Sequence, residues 1–329
     1  MSDVYRLNDL DISAKSLPEF TPPPRFGETK FESYKPQDPS QADALQKTQS
    51  FLNASPDVQG GRFPWQKKTV LGKGLYLDGG FGVGKTHLLA SAYSAYEGSK
   101  VYMSFSELVH AIGVLGKEKA QLELGNNRLY CIDEFELDDP GNTLIVKTFL
   151  NYVFEQGGFV LTTSNTPPAA QGQGRFNASD FKREIQSIAE RFETLKLEGP
   201  DYRKREKVAE LLSTGDLEHL ERTEPASTKV DAHWSELFTL LQSNHPIRYA
   251  HLLKQMDALY LRNAEPISNQ NDAIRFVHFI DKLYDLKIGF RLSGDIALDD
   301  LFDDSYKNSA YAKKHYRCLS RISELLEER

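Results

Sequence analysis

The sequence predicts an α/β fold: a phosphate-loop NTPase with a parallel sheet and helices on both faces, joined to a mainly helical C-terminal part with two extra strands. Three observations predict it. A glycine-rich run, Gly79-Gly80-Phe81-Gly82-Val83-Gly84-Lys85-Thr86, stands between a short apolar strand and a helical pattern. Strand and helix patterns alternate from residue 74 to 197, as a parallel sheet with helical crossovers requires. A further apolar strand, 129–132, ends on the acids Asp133 and Glu134, and in such sheets ligands sit outside the carboxyl ends of strands.

Each element has its own signal. Residues 1–60 read as a proline-rich N-terminal arm, because Pro18, Pro22, Pro23, Pro24, Pro36, Pro39 and Pro56 interrupt any long helix. Only 41–53 reads as helical there. Residues 61–203 form the expected nucleotide-binding core. Its strands fall at 74–78, 101–105, 129–132, 159–163 and 194–197. Its first helix, 86–97, turns Leu88, Leu89, Ala92, Tyr93 and Tyr96 inward and stops at Gly98. Ser104 with Glu107 has the spacing of a capping box. Asp139 followed by Pro140 opens a helix that Gly157 and Gly158 end. Asn177 caps a helix whose apolar face is Phe181, Ile185, Ile188 and Phe192. Residues 204–329 are mainly helical, with helices at 206–212, 232–241, 247–255, 272–285 and 309–328 and strands at 258–261 and 288–292. The stretch 223–229, with Pro225, reads as a hinge.

Composition narrows the function classes. A length of 329 residues suits about two domains, enough to bury a core without disulfides. Lys plus Arg number 40 and Asp plus Glu 47, a net charge of −7 that argues against coating nucleic acid through bulk charge. Cys131 and Cys318 are the only cysteines, which fits a reducing compartment and gives no metal-ligand spacing. Asp3, Asp9 and Asp11 interrupt the start of the chain, so no secretory signal is read there. The longest uncharged run, 156–174, is polar in its second half and too polar to cross a bilayer. The expectation is a cytoplasmic protein without a transmembrane segment.

The chemistry follows from the residue types. Glycines let the backbone wrap a phosphate with its N–H groups inward, and the following helix adds its positive end. Lys85 would meet the β- and γ-phosphates and Thr86 would ligate Mg²⁺. Asp133 would hold Mg²⁺ directly or through water, and Glu134 would activate the attacking water. Asn165, after the strand 159–163, both donates and accepts, which suits holding that water; Asn165-Thr166-Pro167-Pro168 is also a turn signal.

The runs 74–89, 131–135 and 163–168, with Gly199-Pro200-Asp201-Tyr202-Arg203 and 276–285, resemble the ZapE family of AAA+ ATPases, bacterial cell-division ATPases with mitochondrial relatives. The wording of 133–140 resembles the actinobacterial branch. The resemblance implies ATP hydrolysis with Mg²⁺, a cytoplasmic role linked to division, a protein partner such as a division-ring component, and assembly of identical subunits. It implies an arginine reaching a neighbour's phosphate, with Arg191, Arg183 and Arg175 as candidates. It also implies a lid arginine, for which Arg275, Arg317 and Arg321 are candidates, and Tyr34, Phe63 or Trp65 is a candidate to pack on adenine. Two other readings stand beside this one. A helicase-loader-like ATPase would be marked by a basic tract, which the sequence lacks. A nucleotide-stabilised scaffold would not need Glu134.

Overall fold

The computed structural model describes residues 3–13, 17–59, 69–137, 139–167, 178–200, 209–308 and 312–328. In chain order the strands are β1 (Asp3–Arg6), β2 (Asp57–Gln59), β3 (Thr69–Leu71), β4 (Gly74–Gly79), β5 (Lys100–Ser104), β6 (Leu129–Asp133), β7 (Phe159–Ser164), β8 (Phe192–Leu197), β9 (Thr228–His233), β10 (Ala258–Arg262) and β11 (Gly289–Leu292). The helices are α1 (Pro39–Leu52), α2 (Lys85–Ala95), α3 (Phe105–Leu115), α4 (Lys117–Glu123), α5 (Pro140–Glu155), α6 (Ala178–Ala189), α7 (Thr214–Thr223), α8 (Trp234–Ser243), α9 (Tyr249–Leu253), α10 (Gln270–Asp285) and α11 (Ala312–Glu327). No helix of the described residues is long and apolar enough to cross a membrane.

The chain forms two compact units. One comprises Leu17–Pro22 and Phe26–Tyr202; the other comprises Met1–Ser16, Pro23–Arg25 and Arg203–Arg329. The first sixty residues are therefore not a separate arm. Phe31, Tyr34 and Ala44 are buried in the first unit's core, because each short segment between prolines carries its own apolar anchor. Asp38 caps α1 by accepting from Ser40 N at 2.9 Å, and Pro39 supplies the first helical residue.

In the first unit five parallel strands lie in the order β5-β6-β7-β4-β8. Leu75 and Leu77 face one side, against Leu88, Leu89 and Ala92 of α2. Tyr76, between them, faces the other, with Phe149 and Phe154 of α5 and Ile185 and Ile188 of α6. Alternation along a strand thus puts helices on both faces. Phe192 was expected on the helix before the last strand. Instead α6 ends at Ala189 and Phe192 opens β8, its ring 6.0 Å from Tyr76 and 5.8 Å from Phe154. Helix and strand bury the same face, so the 3.6-residue spacing runs on past the helix end.

The second unit holds more sheet than the two strands expected. Four parallel strands lie in the order β1-β9-β10-β11. β9 occupies the expected hinge and helix start. Its Val230 and Ala232 enter the main core, while Lys229 and Asp231 point to the other face and are buried as well. There Asp231 accepts from Arg262, and Lys229 donates to Glu221 O at 2.5 Å. The helix expected at 206–212 lies partly outside the described residues, and its described end is extended, with Leu212 bridging Ser293.

Helices α10 and α11 are joined by Asp281, which accepts from both Arg317 and Arg321, all three buried. Burial alone would raise this carboxyl; the two guanidinium groups outweigh it and hold it at about 2. A depressed carboxylate stabilises fully above its unfolded pKa of about 3.9 and loses that contribution as pH falls from there toward 2. Asp281→Asn keeps the shape and strands two buried cations, so the unfolding free energy from urea titration at pH 7 is expected to drop by about 3–5 kcal/mol. An unchanged midpoint would remove the pair from the account of stability.

Candidate functional site

β4 ends at Gly79, and α2 begins at Lys85. Between them Gly82 and Gly84 have φ of +69° and +86°, backbone that side chains resist. At Gly84 an added Cβ would also lie 2.5 Å from the Tyr34 ring. That ring is buried, and its hydroxyl donates to Val83 O at 3.1 Å. Lys85 is buried too. Its ammonium donates to Gly79 O at 2.8 Å, Gly80 O at 2.5 Å and Asn165 Oδ1 at 2.9 Å. The neighbouring strand thereby brings Asn165 to the loop, since β7 lies beside β4.

On β7's other side, β6 delivers Asp133. The Thr86 hydroxyl donates to Asp133 Oδ1 at 3.3 Å. Three more donors hold the same carboxylate: the Thr163 hydroxyl, Glu134 N at 3.1 Å, and the Tyr102 hydroxyl at 3.1 Å on Oδ2. Burial, then the neighbouring Glu134 carboxylate, raise the Asp133 pKa, and the hydrogen bonds only partly offset them. Glu134 itself has φ +52°, left-handed backbone for a non-glycine residue. The turn is fixed from both sides: Glu134 N also meets Thr163 Oγ1 at 3.1 Å, and Phe135 N donates to Thr163 O at 2.7 Å with its ring buried. A strained residue held this firmly is a feature of functional turns.

The other candidates fall elsewhere. Arg191 is exposed in the turn before β8, where its carbonyl accepts from Gly74 N at 3.1 Å. Gly74 starts β4 and the loop follows its far end, so about 16 Å of strand separates Arg191 from the loop of its own chain. Arg183 is exposed on α6, and Arg175 lies outside the described residues, as do Phe63 and Trp65. Arg275 donates to Leu241 O at 2.7 Å and Asn244 O at 2.9 Å. Arg317 and Arg321 serve Asp281.

Sequence reasoning passed over Tyr102, Thr163 and Asp78. Asp78 is buried before the loop; burial raises its pKa against Lys85 and Lys196. A tyrosine in a strand buried on both faces needs a partner for its hydroxyl, a usable signal for Tyr102.

Sheet order and loop chemistry together define the class, a phosphate-loop ATPase. More narrowly, the chain belongs to the AFG1-like ATPase family, whose model matches residues 20–243 and 216–329. It is a nucleotide-binding enzyme that hydrolyses ATP. It is 22% identical over 298 residues to the cell division protein ZapE of Escherichia coli strain K12, covering 78% of each chain. It is 23% identical over 301 residues to lactation elevated protein 1 homolog B of Danio rerio, covering 73% of this chain and 59% of that one. Among solved structures, the DnaC helicase loader superposes with a TM-score of 0.38 at 21% identity, over 53% of this chain and 99% of that one.

Proposed function

We propose that the chain binds Mg·ATP on Gly79, Gly80, Phe81, Gly82, Val83, Gly84, Lys85 and Thr86. It hydrolyses the nucleotide to ADP and phosphate and uses the energy to change the conformation of a protein partner. The observation that carries this reading is the convergence of Lys85, Thr86, Asp133 and Asn165 at one end of the sheet, linked by hydrogen bonds. The donor set fits the metal: a hydroxyl and a carboxylate oxygen, both hard ligands, lie side by side at 3.3 Å. Bound Mg²⁺ would neutralise charge on the β- and γ-phosphate oxygens. Thr86 and Asp133 would hold it.

Lys85 would turn its ammonium from the loop carbonyls to phosphate oxygens. Glu134 would take the proton of the attacking water, and Asn165 would orient that water. Arg191 would serve the site of an adjoining subunit, which makes the active state an assembly of identical chains. By analogy with the name of its E. coli relative, the partner would belong to the division machinery of the cytoplasm.

The first test is binding. Lys85→Ala strands phosphate charge in a partly desolvated site, at about 2–5 kcal/mol, so ATP affinity measured by calorimetry is expected to fall roughly 30- to 5000-fold. Wild-type affinity in that variant would end the phosphate-loop assignment.

A further inference from the structure

We infer that Tyr102 is a positioning residue for the Asp133 carboxylate and thereby sets the Mg²⁺-dependent part of nucleotide affinity. The inference rests on the proposed role of Asp133 as the acid on the metal side. The two oxygens of that carboxylate are held unequally. Oδ1 accepts from Thr86, from Glu134 N and from Thr163. Oδ2 accepts from the Tyr102 hydroxyl at 3.1 Å, the one donor it has among the described residues. The last torsion of an aspartate is soft, so three donors on one oxygen do not fix the plane of the group. A donor on the second oxygen does.

Tyr102 is itself anchored. It lies on β5 opposite Cys131, two residues before Asp133, so its side chain runs toward the carboxyl end of β6. Its ring meets that of Tyr93 edge-on at 6.0 Å and is 3% exposed. β5 is an edge strand of the sheet, and on its open side Tyr102 N donates to Phe20 O at 2.8 Å. Ring contact and backbone hydrogen bond anchor the residue whose hydroxyl meets Asp133 Oδ2. A purely structural role, a buried phenol finding any acceptor, would alter stability and leave metal dependence untouched. Partners one step behind a metal ligand instead change metal affinity or activity by about 10- to 100-fold.

The test titrates the non-hydrolysable analogue AMPPNP calorimetrically into wild type, Tyr102→Phe, Tyr93→Phe and Asp133→Asn, each in MgCl₂ and in EDTA. Tyr102→Phe is expected to lose about 10- to 100-fold in affinity with Mg²⁺ and none in EDTA. Tyr93→Phe keeps both values, and Asp133→Asn loses at least as much of the Mg²⁺ effect as Tyr102→Phe. A wild-type ratio in Tyr102→Phe, or an equal loss in both conditions, overturns the inference while the reading of Asp133 stands. A Mg²⁺ effect undiminished in Asp133→Asn overturns that reading and the inference with it. Partial misfolding lowers the stoichiometry and not the ratio of affinities, so each outcome is readable.

Discussion

Arg191→Ala is expected to bind ATP like wild type and to hydrolyse it about 10³- to 10⁵-fold more slowly, the range for an arginine placed on developing phosphoryl charge. The geometry dictates that combination. The side chain is exposed beyond α6, at the end of the sheet opposite the phosphate loop. A guanidinium there has no contact with its own nucleotide to lose, so binding persists. In the proposed role it serves a neighbour, so its loss would be felt where subunits meet. Two consequences separate this from an ordinary helix-end arginine. Specific activity should rise with protein concentration. Mixing Arg191→Ala with Lys85→Ala protein should restore activity, because an intact loop then meets an intact arginine. A concentration-independent rate with no rescue would make the enzyme a monomer and Arg191 incidental.

Glu134→Gln is expected to keep ATP bound and to lower turnover about 10²- to 10⁴-fold, the usual cost of a lost general base. Glutamine keeps the length of the side chain and can accept the same left-handed backbone at no added strain, since neither residue is favoured there. The anchors of the turn are the backbone of residues 134 and 135 and the Thr163 side chain, none of which changes. Proton acceptance is removed, together with the negative charge that raises the Asp133 pKa. Binding by calorimetry and single-turnover phosphate release separate the two effects. Turnover within a few-fold of wild type would take Glu134 out of the mechanism.

The phosphate loop and the acids after β6 were legible because their signals are local. Eight consecutive residues between a strand and a helix define the loop, and Asp133 follows an unbroken apolar run. Lys85 meeting Asn165 was not legible. It depends on β7 lying beside β4, and strand order is decided by packing over more than eighty residues of chain. β9 was missed for a related reason. Its polar alternate residues, Lys229 and Asp231, interrupt the apolar run, and Glu221, eight residues before, and Arg262, thirty-one residues after, allow them to be buried. Phe192 was given to a helix by its spacing, though the chain had already turned into a strand. Arg317 and Arg321, one turn apart, read as candidates to contact phosphate and more readily as helix-face ion-pairing residues, and Asp281 on α10 pairs with both.

In the proposed function one site, built from the phosphate loop and the Asp133–Glu134 turn, hydrolyses ATP. Steady-state phosphate release from Mg·ATP, by wild-type and Lys85→Ala protein purified side by side, tests it most directly. Turnover is expected in the wild type, stopped by chelating Mg²⁺ and absent from the variant. Equal phosphate release from the two proteins, or wild-type release that persists in EDTA, would contradict it.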